Sequence, residues 1–339
     1  MMRPSALFAA HVSLGIVTVA AQARSPEALP GPAPQLRRES IQTLLQRNRG
    51  CEHCHQEIAR EWRQSRHRVA FTNDEFQEAL QREPKATREF CVRCHAPERR
   101  LGAESSSSAL GVACVTCHTP LGPVLATPAA GGRPAPHAVL RTASLSNGEA
   151  CASCHEFAFP HPNQGLQMQR TMSEHRAAAG PDTGCNSCHM PRRDGHRSHA
   201  FPGGHDEALV KSSLKIRVTR PVSTQVRLRL TPHNTTHAVP TGDLFRRIAI
   251  LVTTPGGFRH ERFLTRHFED AATRRERLDD RVYRAPRVID VFLPKSAVND
   301  VIHYRVTYDR VASVRPDRDD EAKLDGQIVL TEGTLSGPR

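Results

Sequence analysis

Once one five-residue pattern is set aside, this 339-residue chain has no cysteine left. Aromatic residues are equally scarce, at 5%, with a single tryptophan, and only 38% of residues are hydrophobic. That is too little apolar material for a chain of this length to bury an ordinary core, so something other than side chains has to fill the interior. After residue 23 no run approaches the roughly 18 apolar residues that a membrane-spanning helix needs, so the mature chain is expected to be soluble. Nor is there a basic–aromatic motif for nucleic acid, although the formal charge is +12.

The pattern is Cys-x-x-Cys-His. It occurs five times, at Cys51/Cys54/His55, Cys91/Cys94/His95, Cys114/Cys117/His118, Cys151/Cys154/His155 and Cys185/Cys188/His189, and uses all ten cysteines. It is the attachment signature of c-type haem. The two thiols add to the porphyrin vinyl groups, and the next residue, His, reaches the iron from the same face. Histidine is 19 of 339 residues, so five chance placements directly after CxxC have a probability of roughly 5 × 10⁻⁷. Disulfides would give no reason for those histidines, and zinc sites would pair the CxxC units, of which there are five. Five covalently attached haem c groups are therefore expected, with the ten cysteines as thioethers and His55, His95, His118, His155 and His189 as proximal ligands. Their porphyrins would supply the missing apolar bulk. Their ten propionates would cancel much of the charge, which is +11 once Arg3 is lost with the leader.

Residues 1–23 read as a secretory signal: Arg3, an apolar stretch from Leu7 to Ala20, and Ala21-Gln22-Ala23 as a small-x-small cleavage pattern. The alternative is an uncleaved N-terminal anchor. Export agrees with thioether chemistry, which takes place outside the bacterial inner membrane, so the expected location is the periplasm. Residues 24–50 form a leader segment and 51–209 the pentahaem domain, expected to be mainly α-helical or irregular with few helices and a haem-filled core. After the first motif, Ile58, Trp62 and Ser65 share a helical face, and Trp62 is expected to pack on a porphyrin. Thr72 to Glu75 offers a cap to a further helix through Leu80. Residues 119–136 read as a loop closed by His137, and 165–179 as an amphipathic helix.

From about residue 210 the period becomes two. Leu214, Ile216 and Val218 alternate with Lys215, Arg217 and Thr219, and Val226, Leu228 and Leu230 alternate with Arg227 and Arg229, with a turn near 221–224. Further strands are expected at 247–254, 287–293, 301–308 and 326–331. Residues 210–339 are thus an antiparallel, β-sandwich-like domain. His260, His267 and His303 read as its surface residues.

Particular segments resemble multihaem cytochromes of the cytochrome c-554 type: Trp62-x-x-Ser65-x-His67, Gly111 to His118 with His137 beyond, Cys188-His189-Met190-Pro191, Ser198 to Asp206, and His237-x-x-Pro240-Thr241-Gly242. The resemblance spans most of the mature chain. It implies His67, His137, His199, His205 and His237 as distal iron ligands, with His161 and His175 in reserve, and makes His237 a ligand reaching across from the β-domain. The chain departs from the pattern in carrying Thr236 before His237, in lacking a tryptophan near His175, and in having five motifs rather than four. Iron with histidine on both faces favours an electron relay between redox proteins, with the β-domain as a surface for membrane redox complexes. The alternative is an oxidoreductase acting on a small nitrogen or sulfur compound at one five-coordinate haem.

Overall fold

The computed structural model describes residues 40–99, 106–120, 122–128, 135–159, 166–178, 183–268, 276–315 and 318–336. The expected signal, most of the leader segment and His161 lie outside them.

Each Cys-x-x-Cys-His pattern sits on a short helical turn. Helix α1 (Ile41–Cys54) is capped by Ser40, whose hydroxyl accepts the Thr43 N–H, and it ends on the first motif. α2 (Gln56–Gln64) follows after one residue, and α3 (Asp74–Arg82) starts at Asn73, which accepts the Phe76 N–H. α4 (Lys85–His95) ends on the second motif, and α5 (Cys114–His118) is the third. α6 (Ser144–Asn147) leads into α7 (Glu149–His155), which carries the fourth. α8 (Thr171–Ala178) precedes α9 (Asn186–His189), which holds the fifth, and α10 (Glu207–Ser212) ends the series. Helical spacing sets the two cysteines, three apart, on one face, with the histidine following on the same side.

Between the helices run three two-stranded ribbons that alternation had not suggested. β1 (Val124–Ala126) pairs parallel with β2 (Val139–Arg141); β3 (Glu156–Phe159) pairs with β4 (Leu166–Arg170), and β5 (Arg192–Arg193) with β6 (His196–Arg197). Two expectations are corrected here. The stretch 119–136 contains a strand, and 165–179 is a strand and then a helix. Leu166 and Met168 satisfy a period-two pattern as well as a helical one, and pairing with β3 decides for the strand.

The largest cluster of buried apolar side chains among the described residues lies beyond residue 213. β7 (Leu214–Val222), β8 (Gln225–Pro232) and β13 (Arg287–Phe292) form an antiparallel sheet in the order β13-β8-β7. β9 (Arg247–Thr253), β10 (Arg259–Leu264), β14 (Ile302–Arg315) and β15 (Arg318–Leu335) form a second, in the order β10-β9-β14-β15, and β11 (Arg266–Phe268) pairs with β12 (Glu276–Asp279). Val226, Leu228, Leu230, Ile289 and Val291 of the first sheet share one core with Ile248, Ile250, Val252, Ile302 and Val306 of the second. Arg227 and Arg229 point outward, as period two requires. His303 is exposed, whereas His267 hydrogen-bonds Asp280 at 3.0 Å and the Nε2 of His260 is buried without a partner.

Leu228→Ala removes a fully buried side chain from this shared core and should cost about 3 kcal/mol, read as a shift in the urea midpoint at constant slope. Val288→Ala, on the outer face of the same sheet, should stay within about 0.5 kcal/mol. Equal losses would refute the shared core. Burial pushes the Asp280 carboxyl up, but hydrogen bonds from His267, Thr265 and Arg262 outweigh it and hold the value below the usual range. Its contribution to stability is therefore complete above about pH 4 and lost as pH falls further. The thermal midpoint of Asp280→Asn should lie below that of the parent at pH 7, and the gap should close on acidification.

Candidate haem centres

None of the ten cysteines is paired in a disulfide, and they neighbour one another across motifs. Cys51 lies near Cys114, Cys117 near Cys154, Cys94 beside Cys154, and Cys151 beside Cys185. The first motif therefore adjoins the third, the third adjoins the fourth, and the fourth adjoins both the second and the fifth. Among the described residues no cluster of three or more His, Cys, Asp or Glu is arranged to hold a bare metal ion.

Four of the five motif histidines face a second imidazole. Ring centroids are 6.5 Å apart for His55 and His137, 6.3 Å for His155 and His67, 6.2 Å for His118 and His199, and 6.2 Å for His189 and His237. An iron bound by two imidazole nitrogens at about 2 Å each sets the centroids roughly 6 Å apart, so these gaps fit an iron between the rings. The far nitrogens fit as well. Nδ1 lies 2.8 Å from the Leu125 carbonyl in His118, 2.6 Å from Pro202 in His189, 2.8 Å from Arg197 in His199, 2.9 Å from Ala238 in His237 and 2.9 Å from Ala70 in His95. A proton held on Nδ1 by a carbonyl leaves the Nε2 lone pair free for a metal. Burial also lowers the pKa of His95, His155, His199 and His237 and, aided by the neighbouring histidines, takes His67 down to about 3, so these rings are neutral.

The remaining motif histidine differs. His95 stacks on Phe76 at 3.8 Å with the ring planes nearly parallel, and no imidazole faces it among the described ring contacts. His205, expected as a distal ligand, has no ring contact with a motif histidine among the described ring contacts; partial burial and the nearby Arg66, Arg310 and Arg246 push its pKa down to about 4. His175, the described reserve, has both ring nitrogens engaged, Nδ1 with Thr236 Oγ1 at 2.6 Å and Nε2 with the Thr183 carbonyl at 2.7 Å. That leaves it no lone pair for iron. His137 is solvent-exposed and His237 half-buried.

The surrounding residues explain the local chain path. Trp62 is buried against Leu44, Ala113 and Val115, and its indole N–H donates to the Val112 carbonyl at 2.8 Å; its packing partner is thus the approach to the third motif. Val112 N–H donates to the His67 carbonyl at 2.8 Å, and Gly111 passes that carbonyl with φ +61. A Cβ there would lie 2.3 Å from the His67 oxygen, which accounts for glycine before this motif. Glu61, which the sequence reading did not single out, accepts the His199 N–H at 2.8 Å and contacts His196 Nε2 at 3.3 Å. Its only sequence signal was a polar position on α2.

Five CxxCH turns, four of whose histidines face a second imidazole across a gap that fits iron, are the arrangement that a multihaem c-type cytochrome requires. Residues 50–119 match the family model described as cytochrome c554 and c-prime. The fold is similar to that of a penta-heme cytochrome c552 from Thermochromatium tepidum, with a TM-score of 0.65 and 19% identity, covering 84% of this chain and 97% of that one. No curated protein matches the chain. The chain thus resembles the multihaem cytochromes of the c554 type, in sequence over 50–119 and in fold over most of its length, and haem c and a haem-based redox role go with that resemblance.

Gly111→Ala should cost about 2 kcal/mol through strained φ and the clash with the His67 carbonyl. A thermal midpoint several degrees lower would agree; an unchanged one would show that the segment relaxes freely.

Proposed function

We propose that the chain is a periplasmic electron relay carrying five haem c groups, one on each CxxCH motif, four of them with histidine on both faces. The observation that carries this reading is the set of four imidazole pairs at 6.2–6.5 Å. Haem iron supplies one-electron chemistry between its ferric and ferrous states. The chain supplies the ligands, His55 with His137, His155 with His67, His118 with His199 and His189 with His237. Backbone carbonyls turn His118, His189, His199 and His237, and two imidazoles at one iron would keep small molecules off the metal. The contiguity of the motifs, first to third to fourth and from there to the second and fifth, supports transfer from centre to centre. Residues 51–209 act as the haem domain and 210–339 as a β-sandwich-like domain that meets redox partners, membrane complexes among them. The leader-like residues 1–23 and the thioether chemistry support export.

A second reading rests on His95. With no imidazole facing it among the described ring contacts, its haem would have an open face. The chemistry would then be the reduction or oxidation of a small nitrogen or sulfur compound, fed by the other four centres.

Electron paramagnetic resonance of the oxidised protein, with carbon monoxide titration after reduction, separates the two. One high-spin iron in five that binds carbon monoxide gives an open second centre, whereas five low-spin irons with no carbon monoxide adduct mean that a further ligand closes the second centre and leave only the relay. His67→Ala should add one high-spin, carbon monoxide-binding iron without loss of covalent haem. Unchanged spectra would remove His67 from the ligand set.

A further inference from the structure

Three of the four facing imidazoles, His67, His137 and His199, come from the same stretch of chain as the motifs; His237 alone comes from beyond β8, on the turn that joins it to β9. A ligand delivered across a junction between two separately packed regions needs a fixed strut, because small relative movements would change its distance to the metal.

The strut is α8. Glu174 is only 7% exposed, yet its carboxylate is shared among four donors. Oε2 accepts the Ala238 N–H at 3.2 Å and the Thr241 hydroxyl at 2.8 Å; Oε1 accepts Arg281 Nη2 at 2.5 Å and Arg170 Nε at 3.2 Å. The Glu174 carbonyl also takes the Tyr283 hydroxyl at 2.6 Å. The next residue, His175, reaches Thr236 on one side and the Thr183 carbonyl, two residues before Cys185, on the other. Two consecutive side chains thus grip the turn at 236, 238 and 241, on both sides of His237, and tie it to the start of the fifth motif. A buried carboxylate is costly unless every lone pair is used, and here the donors belong to the ligand turn, to Arg170 at the end of β4 and to Arg281 just beyond β12.

We propose that Glu174 is the positioning residue of the fifth centre: by holding the 236–241 turn on α8 it keeps His237 opposite His189. His175 acts with it by fixing the spacing between that turn and the fifth motif. The inference rests on the reading of His237 as an iron ligand. Loss of the grip opens one haem while the other four keep their ligands.

The test compares holoprotein variants by haem count, high-spin signal and carbon monoxide equivalents per chain. His237→Ala should add one high-spin, carbon monoxide-binding iron to the parent value. Glu174→Ala should add one as well, the double variant no more than one, and Glu174→Gln, which still accepts from Ala238 and Thr241, should remain close to the parent. If His237→Ala changes nothing, His237 is no ligand and the positioning role falls with it. If His237→Ala opens a haem and Glu174→Ala does not, only the positioning role is overturned. Should Glu174→Ala yield no folded holoprotein, Thr241→Val, which removes one hydroxyl donor, carries the test. It should raise carbon monoxide binding at the same haem on warming, and an unchanged stoichiometry up to unfolding would refute the role.

Discussion

The orientation of imidazole rings by backbone carbonyls is the constraint on which the arrangement depends. A histidine side chain alone has two rotatable bonds and two nitrogens that can exchange roles. A carbonyl at hydrogen-bond distance from Nδ1 removes that freedom at a small cost, since the carbonyl needs a donor anyway. In this chain those carbonyls come from the connections that flank the motif helices: Leu125 for His118, Pro202 for His189, Ala70 for His95. Leu125 lies in the three-residue strand β1, and Pro202 and Ala70 lie outside helix and strand. The irregular connections between motif helices therefore have a defined task, which is to present oxygens to rings, and their conformations are set by that task more than by helix or strand propensity.

The two regions solve the problem of stability differently. Beyond residue 213, alternation on β8, β9, β13 and β14 buries isoleucine, leucine and valine between two sheets, and this part has an ordinary apolar core. Before it, the apolar cluster around Trp62 is small, and most motif cysteines remain only half-buried. A porphyrin offers a large rigid apolar surface held by two covalent bonds and a metal ligand, so a haem-bearing segment needs little further apolar sequence. The scarcity of aromatic residues follows from this. The junction between the regions is polar instead: Arg170 reaches Glu276 at 3.1 Å and also Asp279, while Arg281 joins Asp279 to Glu174. Such a junction fixes orientation with little apolar area, because every charge in it is matched by one of opposite sign.

What could be read from the sequence followed the range of the interaction. The CxxCH turns are encoded within five residues, and the strands beyond 210 within eight or so, and both elements were legible. The pairing of His67 with His155, or of His137 with His55, depends on contacts between distant positions, and no local pattern carries it. His175 illustrates the limit. Its place on an amphipathic-looking stretch beside the fifth motif made it a reasonable reserve ligand, and only the Thr183 carbonyl and Thr236 hydroxyl reveal that both nitrogens are taken. Leu166 and Met168 were ambiguous between periods of two and 3.6, and a partner strand decided the matter. Glu61 and Glu174 gave no signal, because a charged residue on a helix is ordinarily a solvated one.

The asymmetry among the five motifs bears on how the proposed relay would work. The fourth motif adjoins three others and is the branch point, while the first, second and fifth are ends that each adjoin one other. At the fifth, His189 meets an imidazole that α8 holds in place from the other region. At the second, His95 is braced by Phe76 and the Ala70 carbonyl, with no imidazole opposite among the described ring contacts. An interior centre that exchanged ligands would interrupt every path through it, since bond making at iron is slow compared with electron transfer between closed centres. An end can change its coordination without that penalty. An open face at the second motif, an end, is thus not disruptive, and the fifth, also an end, is where a closed face draws support from outside its own segment.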